Sequence, residues 1–100
     1  MSILLALLLQ VGPEPASQAA KAWTACLIEA SDRQARSSTT APEYLVPIIL
    51  GECRGKEDHW RSEWVRRWGS STIESDLAEF RASHSKSIIA RIQRIRAARR

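Results

Sequence analysis

Trp23-Thr24-Ala25-Cys26-Leu27-Ile28-Glu29-Ala30, followed by Ser37-Ser38-Thr39-Thr40-Ala41-Pro42-Glu43, decides the fold. In the first part Trp23, Cys26, Leu27, Ala30 and Gln34 recur at spacings of three and four, which marks one face of a helix from about Ala20 to Arg36. Ser37-Ser38-Thr39 ends it, because short hydroxyl side chains compete for the backbone hydrogen bonds that a helix needs. Thr40-Ala41-Pro42-Glu43 then reads as a capping box. Thr40 would accept from the N3 amide, and Glu43 would reach back to the Thr40 amide. The second helix is expected to run through Cys53 towards Trp68. Pro47 should kink it or delay its start, since proline lacks the amide proton and clashes with the preceding turn. Gly51 and Gly55 each weaken it by ~1 kcal/mol relative to Ala, so any break belongs near Gly55.

Cys26 and Cys53 gain meaning from that layout. Cys26 precedes the end of the first helix by about 15 Å of helical rise, and Cys53 follows the start of the second by about 18 Å. If the two helices run antiparallel, the cysteines stand at matching heights on facing apolar sides, and a disulfide across the hairpin is geometrically sensible. In the chain-entropy picture it contributes ~3–4 kcal/mol. Two buried free thiols are the alternative. A redox-active or metal-binding pair has little support, because no Cys-x-x-Cys occurs and four-ligand zinc spacing is absent.

Working outward, Gly69 stops the second helix, and Ser71-Thr72-Ile73-Glu74 forms a second capping box that opens a third, running to the C-terminus. Ile73, Leu77, Phe80, His84, Ile88, Ile92 and Ile95 mark its apolar stripe. Glu74, Asp76 and Glu79 fall early and the arginines late, an order that complements the helix dipole. No alternating pattern suggests a strand, and no repeat is present. The fold class read from the sequence is all-α: a disulfide-stapled antiparallel helical hairpin over residues 20–68, followed by an amphipathic, basic C-terminal helix over 71–100.

Residues 1–19 read as a signal peptide. Ile3-Leu4-Leu5-Ala6-Leu7-Leu8-Leu9 is a short apolar run, broken by Gly12, Pro13 and Pro15. Ser17-Gln18-Ala19 then puts small residues where a signal peptidase reads, so that cleavage follows Ala19. The run is far shorter than the ~20 apolar residues a membrane span needs. No Lys or Arg precedes it, and its alternative reading is an apolar N-terminal helix packed on the rest. From Ala20 onward Leu, Ile, Val and Phe number 15 in 81 residues, a thin core that a crosslink would help. Oxidised cysteines belong to exported chains, which agrees with the leader.

Trp23-x-x-Cys26, a Ser/Thr turn, a Pro-Glu helix start and Cys53 together resemble small exported bacterial α-helical proteins of unknown function, in which two helices are joined by one disulfide. The resemblance covers roughly residues 20–60 and implies no activity and no site residues. Pro47 and the short N-terminus depart from the pattern.

Charge sits unevenly. Residues 1–80 carry 8 basic and 11 acidic side chains, a net of −3, whereas residues 81–100 carry 7 basic and no acidic ones. Arg91, Arg94, Arg96, Arg99 and Arg100 therefore form the candidate binding surface, for an anionic lipid or an acidic protein. Nucleic acid enters only if the chain stays in the cytoplasm. With the apolar stripe docked on the first two helices, these arginines are expected to face outward. The plainer reading is a solvated basic end. Trp60, Trp64 and Trp68 recur at every fourth position beside Arg61, Arg66 and Arg67, a core face more than a lipid-facing one, with Glu57–Arg61 and Glu63–Arg67 as pairs along the helix. His59 and His84 are isolated, His84 at the edge of the core stripe. No nucleophile–base pair, phosphate-binding loop or His-x-x-x-His occurs, so neither an enzyme, a cofactor nor a metal site is expected. The sequence thus predicts a periplasmic or secreted protein with a structural or interaction role in the cell envelope. The alternative is a cytoplasmic helical protein that contacts nucleic acid or an acidic partner through its arginine-rich C-terminal helix.

Overall fold

A computed structural model describes residues 15–99 of the protein. They form four helices: α1 (Pro15–Ser37), α2 (Pro42–Glu52), α3 (Arg54–Trp68) and α4 (Ile73–Ala98). No strand occurs among the described residues, and the class is all-α. The apolar run 3–9 and Arg100 lie outside them.

The described part of α1 reaches back to Pro15, beyond the expected start at Ala20, and this added turn buries Ala16 and Ala19. Beyond it Trp23, Leu27, Ala30, Ser31 and Ala35 are buried, the face that the sequence periodicity marks. Cys26 is half-buried beside it.

The second helix differs from the sequence reading in two ways. Its N-cap is Ala41 in an extended conformation (φ −56°, ψ 140°), and no side chain caps it. Pro42 is the first helical residue, and a proline forces the residue before it out of the helical region. That places the boundary at Ala41 and leaves Thr40 outside the box, its amide donating to Ser38 Oγ at 3.1 Å. The helix also divides at Cys53 (φ −101°, ψ 17°), not at Gly55. The hydrogen-bond ladder nearly survives: the Cys53 amide donates to the Ile49 carbonyl at 3.3 Å, and the Cys53 carbonyl accepts from Glu57 at 3.1 Å. Gly51 and Gly55 bracket the break, so helical propensity is weakest on both sides of the residue that the disulfide tethers. Pro47 is accommodated inside α2.

Gly69 ends α3 at φ +84°, a backbone angle that side chains disfavour, so this stop depends on glycine. Helix α4 begins one residue into the expected box, with Thr72 at its N-cap and no side-chain cap. Thr72 Oγ1 donates to Asp76 Oδ2 at 2.7 Å, and Glu74 turns to Arg61 instead of closing the box.

Helix α1 is the axis of the domain, with α2, α3 and α4 all packed on it. The core joins Trp23 and Leu27 of α1, Leu45 and Ile49 of α2, Trp60 of α3, and Leu77, Ile88 and Ile92 of α4. Cys26 and Cys53 form a disulfide, with Cα atoms 5.9 Å apart and Cys53 fully buried. Arg33 and Gln34, about two turns past Cys26 on α1, reach Glu52 of α2, the neighbour of Cys53.

Candidate functional site

The arginine-rich end of α4 was the surface singled out by composition, and its members have unlike surroundings. Arg91 is half-buried. It grips Asp32 of α1 with two bonds, from Nε to Oδ1 at 2.5 Å and from an Nη to Oδ2 at 3.1 Å. This pairing, more than partial burial, moves Asp32 below the usual carboxylate range. Arg96 donates to the Thr40 carbonyl at 2.7 Å and to the Ser38 carbonyl at 2.6 Å. Arg99 donates to the Arg36 carbonyl at 3.2 Å. A helix leaves its last carbonyls without partners, and cations are favoured there by the dipole. Arg96 and Arg99 thus close the end of α1 and the loop behind it. Arg94 is exposed and has no partner among the described residues. The expected outward patch is corrected: three of the four described arginines turn onto the chain itself. Arg100 lies outside the described residues.

Position and identity of these partners explain why composition alone misplaces the arginines. Asp32 is 59 residues from Arg91, and the carbonyls have no side-chain signature.

A second pairing escaped the sequence reading. Glu57 of α3 is 3% exposed and accepts from Arg81 of α4 through both oxygens, at 2.7 and 2.8 Å. The hydrogen bonds to Arg81 hold its carboxyl below the usual range, against the opposing effect of burial. Arg61, the partner expected one turn along, instead meets Glu74. Glu63 meets Arg66 at 3.5 Å.

Above this pair lies an aromatic column. Ring centroids are 5.3 Å apart for Trp23–Trp60, 5.2 Å for Trp60–Trp64 and 4.4 Å for Trp64–Trp68, with Phe80 edge-on to Trp60 at 4.9 Å. The column grades from buried Trp23 and Trp60 to half-exposed Trp68, over which the Arg67 guanidinium sits at 5.2 Å. His84 meets Trp23 edge-on at 4.6 Å, and burial lowers its pKa below the ordinary value, with Glu57 pulling the other way. The buried Trp23 and Trp64 indole N–H groups meet no acceptor among the described residues.

Beside His84 runs a groove of about 330 Å³ between α1 and α4. Leu27, Ile28 and Ile88 form its apolar surface, and Thr24, Ser31, Ser83 and Ser87 its small polar walls. Arg91 and Arg94 stand at one end, and no carboxylate lines it. Short side chains on both helices are the reason it exists, since they do not span the gap. Among the described residues, no three His, Cys, Asp or Glu side chains converge as a metal's ligands would. None of the described helices is long and apolar enough to cross a membrane. No protein-family model matches this chain, and no curated protein or solved structure does either.

Proposed function

We propose that this chain is an exported helical protein of the bacterial cell envelope that works by binding an anionic partner and not by catalysis. Helix α1 and the α2–α3 arm act in this reading as a stapled antiparallel hairpin, and α4 as the amphipathic basic helix laid on it. The observation that carries the reading is the Cys26–Cys53 crosslink, made between core residues of a small domain. Such bonds form and persist in oxidising compartments and are rare in the cytosol. The apolar run 3–9 and the small residues Ser17-Gln18-Ala19 support the same compartment, with cleavage after Ala19 removing the turn of α1 that carries Ala16 and Ala19. Arg94 supports an anionic partner, since the basic helix keeps one unneutralised arginine beside a groove free of carboxylates.

Nucleic acid is the weaker partner. Gripping a duplex means neutralising several phosphates at once, whereas Arg91 is already neutralised by Asp32, and Arg96 and Arg99 would have to leave the carbonyls they hold.

Fractionation of the native host, followed by intact-mass measurement before and after thiol alkylation, tests the compartment. The expected result is envelope or external protein lacking its leader, with neither cysteine alkylated. Recovery of a cytosolic chain that retains residues 1–19 and two alkylated cysteines would falsify export. Retention of the folded protein on phosphatidylglycerol vesicles at low salt, lost at high salt, tests the anionic partner.

A further inference from the structure

We propose that the α1/α4 groove binds a small single-chain amphiphile bearing one anionic head group, with the head on Arg94 and the tail along Leu27, Ile28 and Ile88. The proposal deepens the anionic-partner reading and rests on it. It assigns that partner a chemical class and a place.

The shape comes from four short side chains. Thr24 and Ser31 stand two turns apart on α1, and Ser83 and Ser87 stand one turn apart on α4. Thr24 Oγ1 donates to the Ala20 carbonyl at 2.9 Å, and Ser31 Oγ to the Leu27 carbonyl at 2.6 Å. These two hydroxyls have therefore turned their protons onto their own helix and ask nothing of a guest. The Ser83 and Ser87 hydroxyls make no hydrogen bond among the described residues and remain available to a head group. Leu27 and Ile88 are buried beneath, whereas Ile28 is 41% exposed, an apolar side chain facing water at the groove. A tail lying there would remove that surface from water.

Charge selects the head. Two arginines line the groove, but Arg91 is neutralised by Asp32 through two bonds, so one positive charge remains. A single carboxylate or phosphate-ester head matches it. A neutral alcohol can accept one hydrogen bond from the guanidinium but brings no opposite charge and no bidentate match, so its contact is the weaker one. Volume selects the tail. About 330 Å³ lies at the low end of small-molecule sites, which run from ~300 to ~1,000 Å³, so one chain of medium length fits and a two-chain lipid does not. His84 lines the groove and packs on Trp23, so a guest there changes the surroundings of a tryptophan.

The test uses the full, oxidised protein at low ionic strength. Decanoate and decanol are titrated separately below their aggregation limits, with tryptophan emission and calorimetry as readouts, and phosphatidylglycerol vesicles form a third arm. Decanoate should saturate a single site per chain and bind about tenfold or more tighter than decanol, as a charge-assisted contact predicts. Arg94→Gln should bring decanoate down to the level of decanol. Ser87→Leu, which fills the groove, should abolish both while leaving vesicle retention intact, and Ser83→Met serves the same purpose if that variant does not fold. Equal binding of decanoate and decanol, or decanoate binding that Arg94→Gln leaves unchanged, would overturn the site. Vesicle retention without decanoate binding also overturns the groove but leaves the anionic-partner reading standing. Absence of both overturns the two together.

Discussion

The two ends of this domain are held by different physics. At the aromatic end Trp23, Trp60, Trp64, Trp68 and Phe80 fill the space between α1, α3 and α4 with large rings. At the loop end the apolar contribution comes from Ala30, Ala35, Leu45, Ile49 and Ile92, two of them alanines. Closure there falls to arginines that reach carbonyls of α1 and its loop. Ring packing removes much area from water and leaves a cavity when lost, whereas a guanidinium at a helix end is partly replaced by water. Substitutions should therefore cost much more at the first end than at the second.

The largest effect is expected at Trp60, which is 1% exposed and touches Trp23, Trp64 and Phe80. Trp60→Ala should cost ~3–5 kcal/mol, enough to unfold a domain of this size at moderate temperature. Thermal unfolding followed by circular dichroism reads it. A melting temperature within a few degrees of the parent protein would show that the rings are ornaments on a core held elsewhere.

Next comes the crosslink, which stands between the two ends. Cys53→Ser should cost ~3–4 kcal/mol for a bond closing 27 residues, or more than about 10 °C in melting temperature. A reductant should lower the parent protein by a similar amount and leave the variant unmoved. If the reductant lowers the variant equally, it is not acting through this bond.

How much of this was legible in sequence depends on distance along the chain. The cysteine pair, the stops at Ser37 and Gly69, and the buried positions Ile73, Leu77, Ile88 and Ile92 of α4 were read from spacing, because helical periodicity is local. The boundary set by a proline was misplaced: Pro42 pushes the α2 cap to Ala41. The charge partners were not legible. Glu57 lies 24 residues from Arg81, and Asp32 lies 59 from Arg91, so only the packed helices bring them together. A local rule pairs Glu57 with Arg61, and the tertiary contact wins because Arg81 meets the buried Glu57 carboxylate with two bonds. The groove was invisible because it is made by what four short side chains leave empty.

Acid response sharpens the same comparison. Glu57 has a lowered pKa, so its contribution is fully present above its ordinary value of 4.5 and is lost as pH falls through its lower folded value. His84 also has a lowered pKa, but as a base. Its neutral form is favoured in the fold, and stability declines as pH falls below the unfolded value of 6.5. Denaturant midpoints should therefore fall gently below about pH 6.5 and again in the acid range below 4.5. Glu57→Gln should cost ~1–3 kcal/mol at neutral pH, less than for a fully buried pair because Arg81 is 43% exposed, and should flatten the acid limb. Asp32→Asn, at the loop end, should do both to a smaller extent, since the Asp32 side chain is 22% exposed against 4% for Glu57. Equal effects from the two carboxylates would erase the distinction between the ends.

The smallest effects belong to the tail arginines, and they separate structural roles from binding ones. Arg96 makes two charge-assisted bonds, to the Ser38 and Thr40 carbonyls, and is half-buried. Arg96→Gln should therefore cost ~1 kcal/mol, somewhat below the ~1.5–3 kcal/mol typical of bonds to charged groups because water reaches one of the two carbonyls. Arg99 makes one longer bond at an exposed position, so Arg99→Gln should stay within about 0.5 kcal/mol. Arg94 has no hydrogen bond or ion pair among the described residues, and Arg94→Gln should leave stability unchanged. Urea midpoints of the three variants, measured side by side at low and high salt, rank them. The order Arg96, Arg99, Arg94 should hold, and salt should narrow it, because each contribution is electrostatic and reached by solvent. A destabilised Arg94→Gln protein would mean that this side chain holds the fold, and any loss of anion binding in that variant would then say nothing about a head group. With stability unchanged, the same loss reads as the removal of a binding contact.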